Sequence, residues 1–209
     1  MCGRFSTSLT ATDWQTLLKS PIPDGYQPSF NVCPTQRLLT FDGEAMPKVW
    51  SYLPAWAGSN PAKAESMSPV INARIETAAE KPYFRTAWKR GRIAIPATGF
   101  YEWQKRSTGK HPHHITLIDD EPFAFAGLDD GYGVAILTTA PNALMAGIHN
   151  RQPVILRIDQ IGDWLTDARW PEIKADALSA VEVSTDVNNV RNNRPDLTQQ
   201  ISGTASETD

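Results

Sequence analysis

The sequence predicts an α+β fold: a single domain built mainly on a curled antiparallel sheet, of the pseudo-barrel type, with short flanking helices. Short apolar or alternating segments recur along the chain, and turn residues such as Asp129-Asp130-Gly131 separate them. Helical patterns are few and short, and no regular alternation of strands and helices indicates parallel βαβ units. A chain of 209 residues with 41% hydrophobic residues is long enough to bury one sizeable core.

Helical periodicity predicts five short helices, most of them with a recognisable start or stop signal. The first is expected to end at the Pro21/Pro23 stretch, and Pro82 suits the first turn of the third. The first helix follows Thr10 or Thr12, the next three cover residues 76–81, 83–90 and 141–147, and the fifth follows Asp159.

Extended segments account for most of the remaining chain. Residues 105–110 contain Ser-Thr-Gly and predict a hairpin turn, and residues 60–69 predict a loop. Residues 198–209 are polar and without pattern, so we expect a domain over residues 2–197 and a flexible tail after it. The predicted strands cover residues 30–40, 46–53, 92–96, 99–104, 113–118, 122–128, 134–139, 154–157 and 181–184.

The charge of the chain is unevenly distributed. The formal net charge is −3, which by itself argues against nucleic acid as a partner. Between Arg74 and Lys110, however, nine basic residues stand against three acidic ones. Screening limits repulsion from the acidic remainder, so a local basic face can hold phosphates. The alternative interpretation is an ordinary solvated, charged face.

Composition also bears on the compartment. The sequence has no run of eighteen apolar residues and no signal-peptide pattern, so we expect neither a membrane span nor secretion. The only cysteines are Cys2 and Cys33, which predicts reduced thiols in the cytoplasm.

The second residue has the most distinctive chemistry. Removal of Met1, which is usual before a small residue, would leave Cys2 with an α-amine and a thiol on adjacent carbons. Their pKa values are ordinarily about 7.7–8.0 and about 8.5, so both are partly nucleophilic at neutral pH. An aldehyde reacts with such a pair to give a Schiff base and then a five-membered thiazolidine. The alternative is that Cys2 is simply a small buried residue.

Several motifs together resemble the SOS response-associated peptidase (SRAP) family, whose members sense abasic sites in single-stranded DNA. The resemblance covers the chain from Cys2 to about Pro195, and the order and spacing of the motifs make it specific. The motifs are Met-Cys-Gly-Arg-Phe from Met1, Phe-Asn-Val-Cys-Pro-Thr from Phe30, Asn-Ala-Arg from Asn72, Pro-Ala-x-Gly-Phe-Tyr-Glu-Trp from Pro96, His-x-Arg-x-Pro-Val from His149 and Val-Ser-Thr-x-Val-Asn-Asn-Val from Val183.

The resemblance implies four catalytic residues. Cys2 is the nucleophile, and Glu102 is the general acid or base, with a pKa expected to be raised by desolvation among aromatic neighbours. His149 protonates the sugar oxygen or holds the adjacent phosphate, and Asn72 hydrogen-bonds the opened sugar. The alternatives are a salt bridge from Glu102 to Lys105 or Arg106 and purely structural roles for His149 and Asn72.

The resemblance also implies a surface for DNA. Arginine side chains grip phosphate oxygens bidentately and without regard to base sequence. Trp56 and Trp103 are expected to stack on flanking bases, and Pro34 to shape the pocket. The arginines at matching positions are Arg4, Arg74, Arg85 and Arg151.

The function predicted from the sequence is therefore covalent capture of abasic sites in single-stranded DNA by a monomer that needs no cofactor and no metal ion. A Schiff base acidifies the C2′ proton of the sugar, so AP lyase activity is a further expectation, as is autoproteolysis. A histidine cluster from His111 to His114 is interpreted as a solvated strand start and not as a metal site. The alternatives are an N-terminal-nucleophile peptidase or amidase and a non-covalent single-strand-binding module.

Overall fold

The computed structural model describes residues 2–68 and 70–201, within which thirteen strands, seven α-helices and four 3₁₀ turns are present. The strands are β1 Phe5–Thr7, β2 Ser29–Val32, β3 Arg37–Phe41, β4 Ala45–Val49, β5 Asn72–Arg74, β6 Arg92–Ala97, β7 Gly99–Arg106, β8 Gly109–Leu117, β9 Phe123–Asp129, β10 Val134–Thr139, β11 Gln152–Pro153, β12 Ile155–Leu156 and β13 Leu178–Glu182. The α-helices are α1 Ala11–Leu18, α2 Ala55–Gly58, α3 Pro61–Ser66, α4 Ile75–Ala78, α5 Arg85–Arg90, α6 Ala143–Ala146 and α7 Ile161–Asp167. The 3₁₀ turns are Ile158–Gln160, Ala175–Ala177, Thr185–Asn188 and Pro195–Thr198.

The strands form two sheets that pack face to face and do not close into a barrel. The smaller sheet has the order β13-β8-β7-β1-β2, and the larger has the order β11-β10-β9-β6-β3-β4, with β12 beside β9 and β5 beside β10. The pairing of β5 with β10 is parallel, whereas the other strand pairs of the described residues are antiparallel. The predicted α+β class with mainly antiparallel strands is confirmed.

Strands of the larger sheet are apolar on both faces, and their residues alternate between two cores. In β9, Phe123 and Phe125 point between the sheets, whereas Ala124 faces the helices. Side chains two residues apart share one face of a strand, so large residues fill the inter-sheet space and small ones lie under the helices. The ring of Phe125 is centred 5.4 Å from that of Phe5 and 6.1 Å from that of Phe100. The two sheets are thereby packed together around an aromatic centre.

Local sequence explains how the first helix begins and ends. Thr10 caps α1: its side chain accepts from the Asp13 N–H at 3.1 Å, and Asp13 accepts from the Thr10 N–H at 2.7 Å. The helix ends at Lys19, which has a left-handed φ of 50°. Its apolar side brings Trp14 into the core against the larger sheet, together with residues of α4, α5 and α7. None of the helices in the described part of the chain has the length and apolar character needed to span a bilayer.

The structure corrects some local predictions. Residues 60–69 include α3, which Asn60 caps by accepting from the Lys63 N–H at 3.2 Å, so the loop predicted there was wrong. Short strands β1, β5 and β11 were not predicted, because two or three residues carry too little periodicity to show a pattern. At the other end, Gln200 bridges Val183, and the rest of the predicted tail, residues 202–209, lies outside the described residues.

Two histidines of β8 are buried, which corrects their interpretation as a solvated strand start. His113 and His114 are 8% and 6% exposed. The Nε2 atom of His114 lies 3.0 Å from Ser6 Oγ, and its ring packs at 4.8 Å on that of Tyr101. Burial lowers the pKa of His114 to about 4, so the fold holds this imidazole in its neutral form.

The burial of His114 predicts a loss of stability in acid. The unfolded chain takes up a proton at this residue below pH of about 6.5, whereas the folded chain does so only near pH 4. The free energy of unfolding should therefore fall between these values, by about 3 kcal/mol in total from this residue. Urea unfolding at pH 7.5 and 4.5 should show a smaller loss for His114→Gln than for the wild type. Equal losses in the two proteins would contradict this assignment.

Candidate active site

Cys2 lies inside the protein, at the margin of the core between the two sheets. Its side chain is 0% exposed and belongs to the same apolar cluster as Phe5, Trp50 and Phe100. Burial raises the pKa of the thiol, with a smaller rise from the charge of Glu102, while a hydrogen bond from the Arg4 backbone N–H works in the opposite direction. In this structure burial thus holds the proton on the thiol more strongly than the ordinary pKa of cysteine would.

Glu102 is presented to Cys2 by the alternation of β7. Phe100 points into the inter-sheet core, and Glu102, two residues further on, lies on the same face of the strand. The side chain is 2% exposed, and Arg106 pairs with Glu182 at 2.8 Å, so the predicted alternative of a salt bridge to Arg106 is not realised. Desolvation raises the pKa of Glu102, as expected, while the charge of His149 lowers it in part.

His149 reaches this site from the loop between α6 and β11. Its backbone N–H donates to the Met145 carbonyl at 2.8 Å, which continues the last turn of α6. Its Nδ1 lies 3.2 Å from both the backbone N and the backbone O of Arg151. The imidazole also interacts electrostatically with the Glu102 carboxyl. Cys2, Glu102 and His149 are thus brought together from three distant parts of the chain.

Asn72 begins β5, on the strand beside β10. Its Nδ2 is 3.4 Å from the Ile136 carbonyl, and its buried Oδ1 has no hydrogen-bond donor within residues 2–68 and 70–201. The preceding residue, Ile71, packs against the cluster that contains Cys2. An amide oxygen that is buried and unsatisfied is a position where a substrate hydroxyl would be favoured.

Arg4 and Trp103 are linked to each other and to the 3₁₀ turn Thr185–Asn188. The Arg4 guanidinium donates to Asn31 Oδ1 at 2.8 Å and lies 5.9 Å from the centre of the Trp103 ring. The Trp103 Nε1–H donates to Asn188 Oδ1 at 2.8 Å. The half-buried Arg4 therefore belongs to a network that ties the N-terminal segment to this turn.

Asn31 belongs to one of the sequence motifs, but the motif predicted no role for it. It is 2% exposed, and its Nδ2 donates to the carbonyls of Val187, Asn189 and Asn192 at 3.3, 3.2 and 2.8 Å. One asparagine thereby fixes the segment that carries Asn188. The available signal in the sequence was a polar asparagine within a predicted strand, but the carbonyls that it binds lie more than 150 residues away in the chain.

Pro34 precedes a tight turn beside the N-terminal strand. Thr35 has a φ of 70°, which a β-branched residue seldom adopts, and its N–H donates to the Trp50 carbonyl at 2.9 Å. The Gln36 side chain accepts from the Cys33 N–H at 3.0 Å. These bonds hold the turn that contains Pro34, whose role in shaping the pocket stays a prediction.

The remaining DNA-binding candidates lie on the surface. Arg74 at the end of β5 and Arg85 at the start of α5 are exposed. Trp56 is 47% exposed, with Lys63 Nζ 5.6 Å from its ring centre and the Tyr83 ring 6.4 Å away. These three are available to a polymer but are not part of the buried cluster around Cys2.

Arg151 is not available in the same way. Its Nη1 and Nη2 donate to the two Glu76 carboxylate oxygens at 2.7 and 2.9 Å, and Nη2 also donates to the Thr138 carbonyl at 2.5 Å. Only 14% of its side chain is exposed.

In the described part of the chain, no group of three or more His, Cys, Asp and Glu residues is placed to hold a metal ion.

Comparison with known sequences adds a family to this geometry. The family model described as SOS response associated peptidase (SRAP) matches residues 1–190. The abasic site processing protein YoqW of Bacillus subtilis is 38% identical over 94% of this chain and 98% of its own. The abasic site processing protein YedK of Escherichia coli is 30% identical over 96% of this chain and 100% of its own.

Solved structures agree with the fold. A protein from Bordetella bronchiseptica, 26% identical, superposes with a TM-score of 0.76 over 88% of this chain and 100% of its own. A protein from Bacteroides thetaiotaomicron, 23% identical, superposes with a TM-score of 0.78 over 96% of this chain and 100% of its own. At that identity the second similarity bears on the fold alone.

Proposed function

The chain belongs to the SOS response associated peptidase family, and we propose that it processes abasic sites by capturing them covalently through Cys2. Relatives that are 30–38% identical over most of the chain are named abasic site processing proteins, which supports abasic sites as the substrate. The observation that carries the proposal is the burial of the Cys2 thiol beside a desolvated Glu102, which itself interacts with His149.

The reaction begins at the nitrogen of Cys2, which requires that Met1 has been removed. The α-amine attacks the aldehyde carbon of the ring-opened sugar, and loss of one water molecule gives a Schiff base. The sulfur then adds to the carbon of the C=N bond, and the thiol proton passes to the nitrogen. The product is a thiazolidine whose mass is that of protein and DNA less one water molecule.

The raised thiol pKa favours this order of steps. A neutral thiol is a weak nucleophile, so the amine reacts first. The iminium ion that results is positively charged and lies next to the sulfur, where it would stabilise the thiolate. In an N-terminal-nucleophile peptidase the α-amine would instead have to take the thiol proton before the sulfur attacks. Burial disfavours that separation of charge, which supports aldehyde capture over the peptidase alternative.

Glu102, His149 and Asn72 each take part in a proton transfer or a hydrogen bond. Glu102, whose raised pKa makes it keep its proton to a higher pH than an ordinary carboxyl does, donates a proton to the sugar ring oxygen as the ring opens and takes one from the anomeric hydroxyl. It then donates a proton to the hydroxyl that departs as water. His149 exchanges that proton with Glu102. The Asn72 Oδ1 accepts a hydrogen bond from the opened sugar. The Schiff base also acidifies C2′, so a slower β-elimination accompanies capture.

The DNA strand is proposed to be single-stranded, because the aldehyde must reach a sulfur that is buried in the protein, which a base-paired partner strand would hinder. The exposed Arg74 and Arg85 would hold phosphates on either side of the lesion, and Trp56 and Trp103 would stack on neighbouring bases. We propose that the domain of residues 2–197 acts as a monomer in the cytoplasm, at the nucleoid.

A direct test mixes the purified protein, shown by intact mass to begin at Cys2, with a single-stranded oligonucleotide containing one abasic site. The expected result is a covalent adduct that survives denaturation without any reducing agent and has lost one water molecule. The control oligonucleotide carries a tetrahydrofuran in place of the abasic sugar, which has no aldehyde. An absence of adduct, or an equal yield with the tetrahydrofuran, would refute covalent capture.

A further inference from the structure

Arg151 is better placed to position His149 than to hold a phosphate. Both of its terminal nitrogens donate to Glu76 oxygens, at 2.7 and 2.9 Å, in the bidentate geometry that arginine forms with carboxylates. Nη2 also donates to the Thr138 carbonyl. The remaining nitrogen, Nε, is buried and has no acceptor among the described residues. A phosphate would have to displace Glu76 to be gripped in the same way.

The backbone of the same arginine holds the catalytic imidazole. His149 Nδ1 lies 3.2 Å from Arg151 N and 3.2 Å from Arg151 O. Arg151 thus holds the histidine through its main chain, while its side chain ties that main chain to Thr138 in β10 and Glu76 in α4. The imidazole in turn acts on the Glu102 carboxyl.

Glu76 is also connected to the other side of the site. It follows β5, the strand that Asn72 begins and that pairs in parallel with β10, where Arg74 lies opposite Thr138. The Glu76–Arg151 pair therefore joins the segment of Asn72 to the loop of His149. The hydrogen bond from Arg151 lowers the pKa of Glu76, so this carboxylate is charged at neutral pH.

We propose that Glu76 is a positioning residue: paired with Arg151, it holds the His149 imidazole in the orientation in which it exchanges a proton with Glu102. This inference rests on the proposed function of His149. It gives a role to a residue that contacts neither the lesion nor Cys2, and it assigns Arg151 to the frame of the site and not to the DNA surface.

The test uses Glu76→Gln, which keeps the shape of the side chain but removes its charge. The rate of adduct formation with abasic DNA should fall about 10- to 100-fold, as expected when a reacting group is displaced by a fraction of an ångström to an ångström. The ring nitrogen NMR signals of His149 should shift at fixed pH. Glu80→Gln, an exposed carboxylate four residues away, is the matched control and should change neither.

Binding to a tetrahydrofuran oligonucleotide, which cannot form an adduct, separates positioning from phosphate contact. Positioning predicts that Glu76→Gln leaves the affinity and its salt dependence unchanged, and that Arg151→Gln slows the reaction without changing the salt dependence. Phosphate contact predicts the reverse. Freeing Arg151 would tighten binding, and the slope of log K against log[salt] would steepen by about 0.7. That result, or unchanged rate and His149 signals in Glu76→Gln, would overturn the proposal.

The two proposals fail in different ways. If the wild-type protein forms no adduct, covalent capture is wrong, but the His149 signals and the salt dependence still report on the role of Glu76. If the wild type forms the adduct and Glu76→Gln does so at the same rate, capture stands and the positioning role is wrong.

Discussion

Replacing Cys2 with alanine is expected to abolish the denaturation-resistant adduct with abasic DNA. Alanine retains the α-amine, so the Schiff base still forms, but no sulfur is present to close the ring. The imine hydrolyses when the protein is denatured, whereas a thiazolidine does not need reduction to survive. Borohydride added during the reaction should therefore rescue an adduct for Cys2→Ala, and electrophoresis with and without the reductant measures the difference.

Cys33 provides the matched control for this substitution. It is the other cysteine of the chain, is 4% exposed, and its thiol donates to the Asn31 carbonyl at 3.1 Å. Cys33→Ala removes the same atom from a neighbouring strand without touching the N-terminal aminothiol, so it should form the adduct as the wild type does. A resistant adduct from Cys2→Ala without borohydride, or its loss in Cys33→Ala, would mean that the thiol has been assigned to the wrong residue.

Replacing Glu102 with glutamine is expected to slow adduct formation by about 10²- to 10⁴-fold, the usual contribution of a general acid or base. Glutamine has nearly the same shape and can occupy the same buried position, but it cannot donate a proton to the sugar oxygen. Single-turnover rates with a saturating abasic oligonucleotide measure the effect. Binding of the tetrahydrofuran oligonucleotide should change little, because Glu102 is 2% exposed and does not face bulk solvent.

The pH dependence of the rate distinguishes the role of Glu102 from a structural one. Burial raises its pKa, so its proton is lost at a higher pH than from an ordinary carboxyl. A general acid works while protonated, so the wild-type rate should decrease as pH rises through that pKa. Glu102→Gln should lack this decrease, and Glu121→Gln, an exposed carboxylate, should keep it. A full wild-type rate in Glu102→Gln would show that the proton comes from elsewhere.

Much of the fold could be predicted because it depends on short-range patterns. The hairpin at residues 105–110 is present as the β7–β8 turn, where Gly109 has a φ of 128°. The helix cap at Thr10, one of the two positions predicted, and the longer strands β6, β9 and β10 of the larger sheet also follow from local signals. The missed elements are those whose stability comes from partners, such as β5, which exists because it pairs with β10.

The chemistry of the candidate site was less predictable than its residues. The motif glutamate is buried as expected, but burial holds the proton on the Cys2 thiol more strongly than its ordinary pKa implied. The resemblance implied a phosphate contact for Arg151, which stays a prediction, and the structure adds that its guanidinium pairs with a carboxylate 75 residues away. Neither outcome is visible in a motif, because both depend on which atoms are neighbours in space.

The sequence alone determined that the second residue carries a thiol, beside the nitrogen that removal of Met1 would free as an α-amine, and that Phe100 and Glu102 lie on the same face of a strand. These facts depend on covalent structure and on the two-residue period of a strand. The tertiary structure decided which groups are removed from water and which charges lie beside them. A pKa and a hydrogen-bond partner are properties of surroundings, and here residues 2, 102 and 149 provide those surroundings for one another.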